Sequence, residues 1–156
     1  MLIQYRETQS TDVDPLFIVR TQTGDNPMST ERLAQLGITP ASIRQGFDDG
    51  YLCGWVAMVD ETIVGFCNGE LNTGEVLVLA LLPDFEGQGI GRQLLGLVVE
   101  ALRRQGHKAI WLAADSNPSV RAHGFYRKLG WVPSGERLEN GDEVLVLQPS
   151  PGSAVL

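Results

Sequence analysis

The sequence has few of the residues that bind metals or form disulfide frameworks. It contains two cysteines and two histidines in 156 residues, and their spacing matches no metal-ligand pattern. Cys53 and Cys67 lie on neighbouring predicted strands, and a turn at Asp60–Glu61 sets Cys53 opposite Asn68. Side chains alternate along a strand, so Cys67 then points to the other face of the sheet. We therefore expect no metal site and no disulfide, with both cysteines as small buried residues.

Basic residues are also scarce. The chain has 12 Lys and Arg against 19 Asp and Glu, which gives a formal net charge of -7. Proteins that bind nucleic acids derive much of their affinity from neutralising phosphates, so this balance argues against a nucleic-acid partner. An acidic balance is compatible with cationic substrates, although it more often serves solubility alone.

Long hydrophobic runs are absent. No apolar stretch approaches the roughly 18 residues that a membrane-spanning helix needs. The first ten residues, "MLIQYRETQS", lack the basic and then apolar pattern of a signal peptide. We therefore expect a cytoplasmic protein with no membrane partner, built as one domain over residues 1–148 and followed by a flexible tail over residues 149–156.

Signals for strands and helices alternate along the chain. Strands are predicted at residues 2–8, 51–59, 62–71, 75–82, 108–114, 131–138 and 143–148. Helices are predicted at residues 11–23, 26–37, 39–50, 90–105 and 117–129, with Ser29 or Thr30, Thr39 and Asn117 as N-caps. This order predicts an α+β (mixed α/β) fold with a largely antiparallel central sheet of about seven strands and helices on both faces. The strand at 75–82 is apolar on both faces, so we expect it to be central and covered on both sides.

A glycine-rich loop joins the central strand to the next helix in "PDFEGQGIGRQLL", residues 83–95. Such a turn is typical of phosphate binding, because free N–H groups and the helix dipole converge there. No Lys-Ser/Thr pair follows the glycines, which excludes a Walker A loop. The dinucleotide spacing GxGxxG also fails, since Arg92 occupies the third glycine position counted from Gly87.

The pattern that remains resembles the acetyl-CoA loop of the GCN5-related N-acetyltransferases (GNAT), Arg/Gln-x-x-Gly-x-Gly/Ala. Here the loop reads "EGQGIG", residues 86–91. "TIVGF" (62–66) is similar to the family's third strand, and "NPSVRAHGFYRKLGW" (117–131) to its later asparagine-to-Phe-Tyr block. The order of elements agrees over about residues 3–148, and residues 24–50 carry no resemblance.

The resemblance implies a GNAT-like acetyltransferase domain over residues 1–148. Such an enzyme moves an acetyl group from acetyl-CoA to a primary amine by direct attack in a ternary complex, and the acceptor is a small-molecule or peptide amine. The alternative is a catalytically idle module that binds acyl-CoA as a sensor. The alternating edge strands near the C-terminus are also suited to pairing two subunits as a homodimer.

The resemblance assigns roles on the cofactor side as well. The main chain at Leu81 and Leu82 pairs with the pantetheine arm, and Asn117 hydrogen-bonds that arm. Tyr126 lies by the cofactor sulfur as the general acid, the alternative being a core aromatic. The predicted loop contacts are Gly87, Gln88, Gly89, Ile90, Gly91 and Arg92.

Glu86 departs from the family pattern, because a carboxylate stands where Arg or Gln is usual. It opposes the phosphates, so we expect the substitution Glu86→Arg to tighten acetyl-CoA binding. Gly124, inside the last predicted helix, costs up to roughly 1 kcal/mol relative to alanine. We therefore expect the cofactor or a backbone segment to approach Gly124 closely.

The general base is predicted at Glu75, which opens the central strand on the face of Leu77, Leu79 and Leu81. Some members of the family place their base at this position, and many others use ordered water, so the two alternatives carry equal weight. His123 and Asp115 are weaker candidates for the base.

Overall fold

The structure is a computed structural model that describes residues 2–23 and 28–148. Over these ranges the strands are β1 (Gln4–Glu7), β2 (Leu52–Val59), β3 (Thr62–Glu70), β4 (Glu75–Leu81), β5 (Ile110–Ala114), β6 (Val132–Arg137) and β7 (Glu143–Leu147). The helices are α1 (Val13–Gln22), α2 (Thr30–Gln35), α3 (Pro40–Asp48), α4 (Ile90–Arg104) and α5 (Arg121–Lys128). The predicted order is confirmed, while the predicted tail at 149–156 lies outside the described residues.

The strands form one seven-stranded sheet in the order β1-β2-β3-β4-β5-β7-β6. Only the β4–β5 pair is parallel among the strand pairs of the described residues. Helix α1 packs on one face through Leu16 and Val19, and α4 packs on the other through Leu94 and Val98. The predicted α+β fold, with a largely antiparallel sheet and helices on both faces, is confirmed.

Helix α4 shows how the sequence pattern produces the packing. Ile90, Leu94, Val98 and Leu102 recur every four residues and are at most 1% exposed, so one stripe of the helix faces the sheet. Burying each side chain stabilises the fold by about 1.5–3 kcal/mol. This firmly anchored helix holds the glycine loop at its N-terminus. No helix of the described residues is both long and apolar enough to cross a membrane.

A bulge between β2 and β3 overturns the cysteine prediction. The register shifts by one residue between Ala57 and Met58, so Cys53 pairs with Gly69 and not with Asn68. The two cysteines therefore share the face that packs on α4, and the prediction of opposite faces is wrong. Both thiols are free, and burial raises the pKa of Cys67.

A second bulge changes the direction of Glu75. Asn68 pairs with Val78 but Gly69 pairs with Val76, which leaves Leu77 as an extra residue in β4. One extra residue reverses the alternation of side chains. Glu75 consequently points to the α1 side of the sheet, away from the face of Leu81. The prediction that these two side chains share a face is wrong.

Strands β4 and β5 separate along their length. Within residues 2–23 and 28–148 they are in register only at Glu75 and Trp111. Beyond that point, the β4 edge that faces β5 lacks a paired strand. The sheet therefore opens at its centre, where main-chain groups of β4 become accessible.

Candidate active site

The glycine loop between β4 and α4 is shaped to bind an anion. Gly87 and Gly89 adopt left-handed backbone conformations, with φ of 77° and 83°, which favour glycine. Apart from its two chain neighbours, no described residue has an atom within 4 Å of a methyl group added at Gly89. The N–H groups of residues 87–92 donate to no other group in the described parts of the chain. The loop thus presents free donors and open space, which fits the phosphates of a nucleotide-bearing ligand.

The loop forms one wall of a cavity of about 390 Å³, which we call the loop cleft. Residues Leu79–Leu81 of β4 form its floor, and Phe125, Tyr126 and Leu129 of α5 form the facing wall. Arg92 lines its mouth together with the glycines. The cleft brings together the loop, the open edge of β4 and α5.

At the floor of the cleft, the N–H groups of Leu81 and Leu82 point in opposite directions. The N–H of Leu82 donates to the carbonyl of Val64 at 2.9 Å, so it points toward β3. Backbone groups alternate along a strand, and the N–H of Leu81 therefore points toward the open gap beside β5. The structure makes the Leu81 amide available to a ligand and engages the Leu82 amide within the sheet.

Tyr126 lies in the wall of the loop cleft. Its ring makes edge contacts with Phe125 and Trp131, at centroid distances of 5.2 and 6.0 Å. Burial raises the pKa of the phenol above its usual value of 10.0, so the hydroxyl is protonated at neutral pH. No described residue hydrogen-bonds this hydroxyl. The side chain combines a fixed ring with a proton that a ligand can accept.

A second cavity of about 380 Å³ lies on the other side of the sheet, beneath α1, and we call it the α1 cavity. It reaches across the gap in the sheet, from Val78 of β4 to Ala113 of β5. Its walls are mainly apolar, including Leu16, Phe17, Leu33, Ile43, Leu52 and Phe66. Leu77, which the bulge leaves 42% exposed, also lines it. Central strand β4 is therefore only partly covered, because the two cavities lie against it.

Glu75 is the carboxylate of the α1 cavity that lies at the start of the open gap. It is half-buried and pairs across the sheet with Glu70. Burial raises the pKa of Glu75 from 4.5, and the negative charge of Glu70 raises it further. A carboxylate with a raised pKa is a better proton acceptor near neutral pH.

Asn68 is a site residue that the sequence reasoning missed. Its side chain lines the α1 cavity, and its Oδ1 is buried without a hydrogen-bond partner among the described residues. A buried unpaired acceptor costs free energy unless a ligand or water satisfies it. The sequence signal was a single amide in the otherwise apolar run "TIVGFCNG".

A model of the acetyltransferase (GNAT) family matches residues 22–131, more than two thirds of the chain. The chain belongs to the GNAT family. The enzyme class and the acetyl-CoA donor predicted from the sequence are those of this family.

Relatives of this chain carry names that point to different acceptors. The chain is 32% identical over 71 residues to the ribosomal protein bS18-alanine N-acetyltransferase of Haemophilus influenzae, covering 44% of this chain and 47% of that protein. It is 35% identical over 103 residues to a mycothiol acetyltransferase of Propionibacterium freudenreichii subsp. shermanii, covering 64% and 30%. The matches span less than half of either relative. In fold, the chain is similar to the PaiA N-acetyltransferase of Thermoplasma acidophilum in complex with coenzyme A, with a TM-score of 0.79, 19% identity and coverage of 95% and 99%.

Asn117 of this GNAT chain lines neither the loop cleft nor the α1 cavity. Helix α5 begins at Arg121, so the prediction that Asn117 caps it is wrong. The Oδ1 of Asn117 instead accepts hydrogen bonds from the N–H and Oγ of Ser119, at 3.0 and 2.9 Å. These bonds hold a turn before the helix, because the asparagine side chain competes with helical pairing.

The weaker candidates for the base also lie away from the two cavities. His123 is 3.8 Å from Glu143, whose carboxylate accepts two hydrogen bonds of 2.9 Å from Arg127. Asp115 accepts from the N–H of Asn117 at 2.9 Å in an exposed turn. Both side chains have structural partners. The charged residues that line the α1 cavity are Glu75, Asp142 and Arg20, and Glu75 is the one that opens β4.

Three further residues on the donor side have surroundings that the sequence did not reveal. No atom of the described residues lies within 4 Å of a methyl group added at Gly124, so the expectation of a close backbone approach is wrong. Gln88 is exposed, and its side chain donates to the Asp84 carbonyl at 3.4 Å. Glu86 has a partner that the sequence did not reveal, since Arg121 donates to it at 2.6 Å.

Proposed function

We propose that this protein is an acetyl-CoA-dependent N-acetyltransferase that acts on a primary amine by direct attack in a ternary complex. The observation that carries this proposal is the pair of cavities on β4. The loop cleft reaches Leu79, and the α1 cavity reaches Val78, the residue before it. A donor in one cavity and an acceptor in the other can therefore meet at the open gap of the sheet.

The loop cleft is assigned to the donor. Acetyl-CoA supplies an activated thioester and carries phosphates, for which the free N–H groups of residues 87–92 are suitable donors. The N–H of Leu81 faces the gap, where it can stabilise the oxyanion that develops on the thioester carbonyl. The cleft thus provides both the anion site and the polarising group that acyl transfer needs.

The α1 cavity is assigned to the acceptor. Its apolar wall favours an amine that carries an apolar group, because burial of that group contributes about 25 cal/mol per Å². Glu75 can hold the ammonium and then accept its proton, since the amine attacks only in its neutral form. The same features suit a peptide N-terminus or a small amine with a hydrophobic side chain.

The proposed reaction balances with these groups. After Glu75 has taken one proton from the ammonium, the neutral amine nitrogen forms a bond to the thioester carbon and sheds its second proton to solvent. The tetrahedral intermediate then collapses and the carbon–sulfur bond breaks. Tyr126 donates its proton to the departing thiolate, and solvent returns the proton held by Glu75 to the Tyr126 oxygen. The products are the N-acetylated amine, free CoA and one proton.

Steady-state turnover with matched amines tests the proposal. The purified chain is incubated with acetyl-CoA and with phenethylamine, or with a polar amine of similar length, while CoA release and acetylated product are measured. We expect turnover, with kcat/KM at least tenfold higher for the apolar amine. Equal rates for both amines would contradict the acceptor assignment. Acetyl-CoA binding without turnover of any amine in a broad panel would support the sensor alternative.

A substitution in the wall of the α1 cavity tests whether this cavity causes the preference for the apolar amine. Phe17→Ala removes a ring that lines this cavity but not the loop cleft. We expect a several-fold higher KM for the apolar amine and an unchanged KM for acetyl-CoA. An unchanged KM for the apolar amine would place the acceptor elsewhere.

A further inference from the structure

An ion pair joins the glycine loop to the first residue of α5. Arg121 Nη1 donates to Glu86 Oε2 at 2.6 Å, and the two side chains are 53% and 25% exposed. The residues are 35 positions apart in the sequence. Exposed pairs of this kind contribute little to folding, so its position beside the loop suggests a role other than stability.

The guanidinium of Arg121 lies over the opening of the loop. Its Nη2 is 4.0 Å from the position of a methyl group on Gly87, and both residues line the loop cleft. A guanidinium carries five N–H donors in a planar fork, and the bond to Glu86 uses one of them. The remaining donors are available to an anion that approaches the N–H groups of the loop.

The loop lacks the Arg or Gln that is usual at its first position, although Arg92 follows its last glycine. The family signature begins with Arg or Gln, whereas this chain has Glu86 at that position. A carboxylate alone would repel phosphates. Here its charge is compensated by an arginine that belongs to another element.

We infer that Arg121 binds the pyrophosphate of the donor in place of the missing loop cation, and that Glu86 is a positioning residue that holds the guanidinium over the loop. This inference rests on the proposed function and adds a residue that the loop signature does not contain. The ion pair orients the fork before the ligand arrives, so less rotamer freedom is lost on binding. Arginine suits the site because its fork can bind phosphate oxygens in a bidentate manner.

Calorimetric titration separates the phosphate contacts from the rest of the cofactor. CoA, dephospho-CoA and pantetheine are titrated into the wild type and into Arg121→Gln. We expect the variant to bind CoA and dephospho-CoA at least tenfold more weakly, and pantetheine equally well. The loss of affinity for CoA on raising the salt concentration should also be smaller in the variant, because one phosphate contact is gone. Arg121→Lys should recover part of the lost affinity.

Arg104→Gln is the matched control. Arg104 donates to Glu100 at 2.7 Å in an exposed pair at the far end of α4, so this variant changes the net charge equally. We expect it to bind CoA as the wild type does. If both arginine variants lose CoA affinity equally, the loss reflects the change in net charge alone, and the inference is wrong.

A charge exchange tests the positioning role of Glu86. Arg121→Glu alone should abolish most CoA affinity, and adding Glu86→Arg should restore it to within a few-fold of wild type, since a cation then occupies the loop and remains paired. If the double variant unfolds at the wild-type temperature but does not regain CoA affinity, the cation cannot be exchanged between positions 121 and 86. If the wild type binds CoA and Arg121→Gln binds it equally, the inference alone fails. If the wild type does not bind CoA, the proposed function fails.

Discussion

The two cavities on β4 have nearly equal volumes, about 390 and 380 Å³, but different construction. The loop cleft combines the glycine loop and the open edge of β4, which offer main-chain groups, with side chains of α5. The α1 cavity is lined by residues of α1, α2, α3 and four strands. A main-chain site recognises features that every donor molecule shares, whereas a side-chain site can be shaped for one acceptor.

The two cavities also hold different titratable groups. Tyr126 in the loop cleft holds a proton, because burial raises its pKa. Glu75 in the α1 cavity is the proposed proton acceptor, and its raised pKa brings it closer to neutrality. In the proposed reaction the acid lies on the donor side and the base on the acceptor side, with β4 between them.

Removal of the Tyr126 hydroxyl should give the largest effect. Tyr126→Phe keeps the ring and its edge contacts with Phe125 and Trp131, so fold and CoA affinity should be preserved. We expect kcat to fall by roughly 10²–10⁴, because the thiolate then leaves without a proton. The measurement is kcat at saturating amine, with acetyl-CoA and with an acetyl donor whose thiol is more acidic.

The two donors distinguish a chemical role from a packing role. The loss should be smaller with the more acidic thiol, which needs less assistance on departure. A variant that turns over like wild type would make Tyr126 a core aromatic. An equal loss with both donors would make it a residue that positions the cofactor.

Glu75 should give the next largest effect, confined to the acceptor side. We expect Glu75→Gln to lower kcat/KM for the amine by about 10², without changing CoA affinity. Wild-type activity should fall as pH drops through the raised pKa of Glu75, because the protonated carboxyl cannot accept a proton. The pH profile of kcat/KM for both proteins provides the measurement.

Glu70→Gln sharpens that assignment. The charge of Glu70 is one of the two causes that raise the pKa of Glu75. Its removal should lower that pKa and move the acidic limb of the profile to lower pH. If the acidic limb of the pH profile does not move in Glu70→Gln, or is still present in Glu75→Gln, the limb reflects the titration of another group or of the amine.

Gly91→Ala should weaken the donor side alone, by more than tenfold in the Kd for CoA. The added methyl group would lie 3.6 Å from Phe125 and 3.8 Å from Leu79, which is ordinary contact, so the fold tolerates it. The methyl group would nevertheless occupy the loop cleft. Gly96→Ala in the same helix faces open space and is the matched control for calorimetry. Equal affinity in the two variants would contradict the loop assignment.

Gly124→Ala should have the smallest effect and should act on stability. A methyl group at this helical position meets no atom within 4 Å among the described residues, and alanine is favoured over glycine by up to about 1 kcal/mol. We expect an unfolding temperature that rises by about 2–4 °C and an unchanged CoA affinity. A weaker CoA complex would revive the prediction that the cofactor approaches Gly124.

Local patterns in the sequence were sufficient to predict most elements and the glycine loop. Ser29 and Thr39 cap α2 and α3 as predicted, with their side chains accepting from Arg32 and Ser42 at 3.1 Å. The stripe of α4 and the glycines of the loop were readable because helical packing and left-handed turns depend on residues a few positions apart. The same locality made the central strand and the order of elements predictable.

Other features were decided only by contacts between distant segments. The bulge at Leu77 turns Glu75 into the α1 cavity, and a bulge between β2 and β3 places both cysteines on one face. A bulge adds one residue and reverses every side chain beyond it, and cross-strand packing rather than local propensity selects its position. The pairing of Glu86 with Arg121, across 35 residues, likewise depends on how α5 packs beside the loop. The sequence by itself determined a donor loop built from the backbone, and the tertiary structure decided which side chains face the reaction.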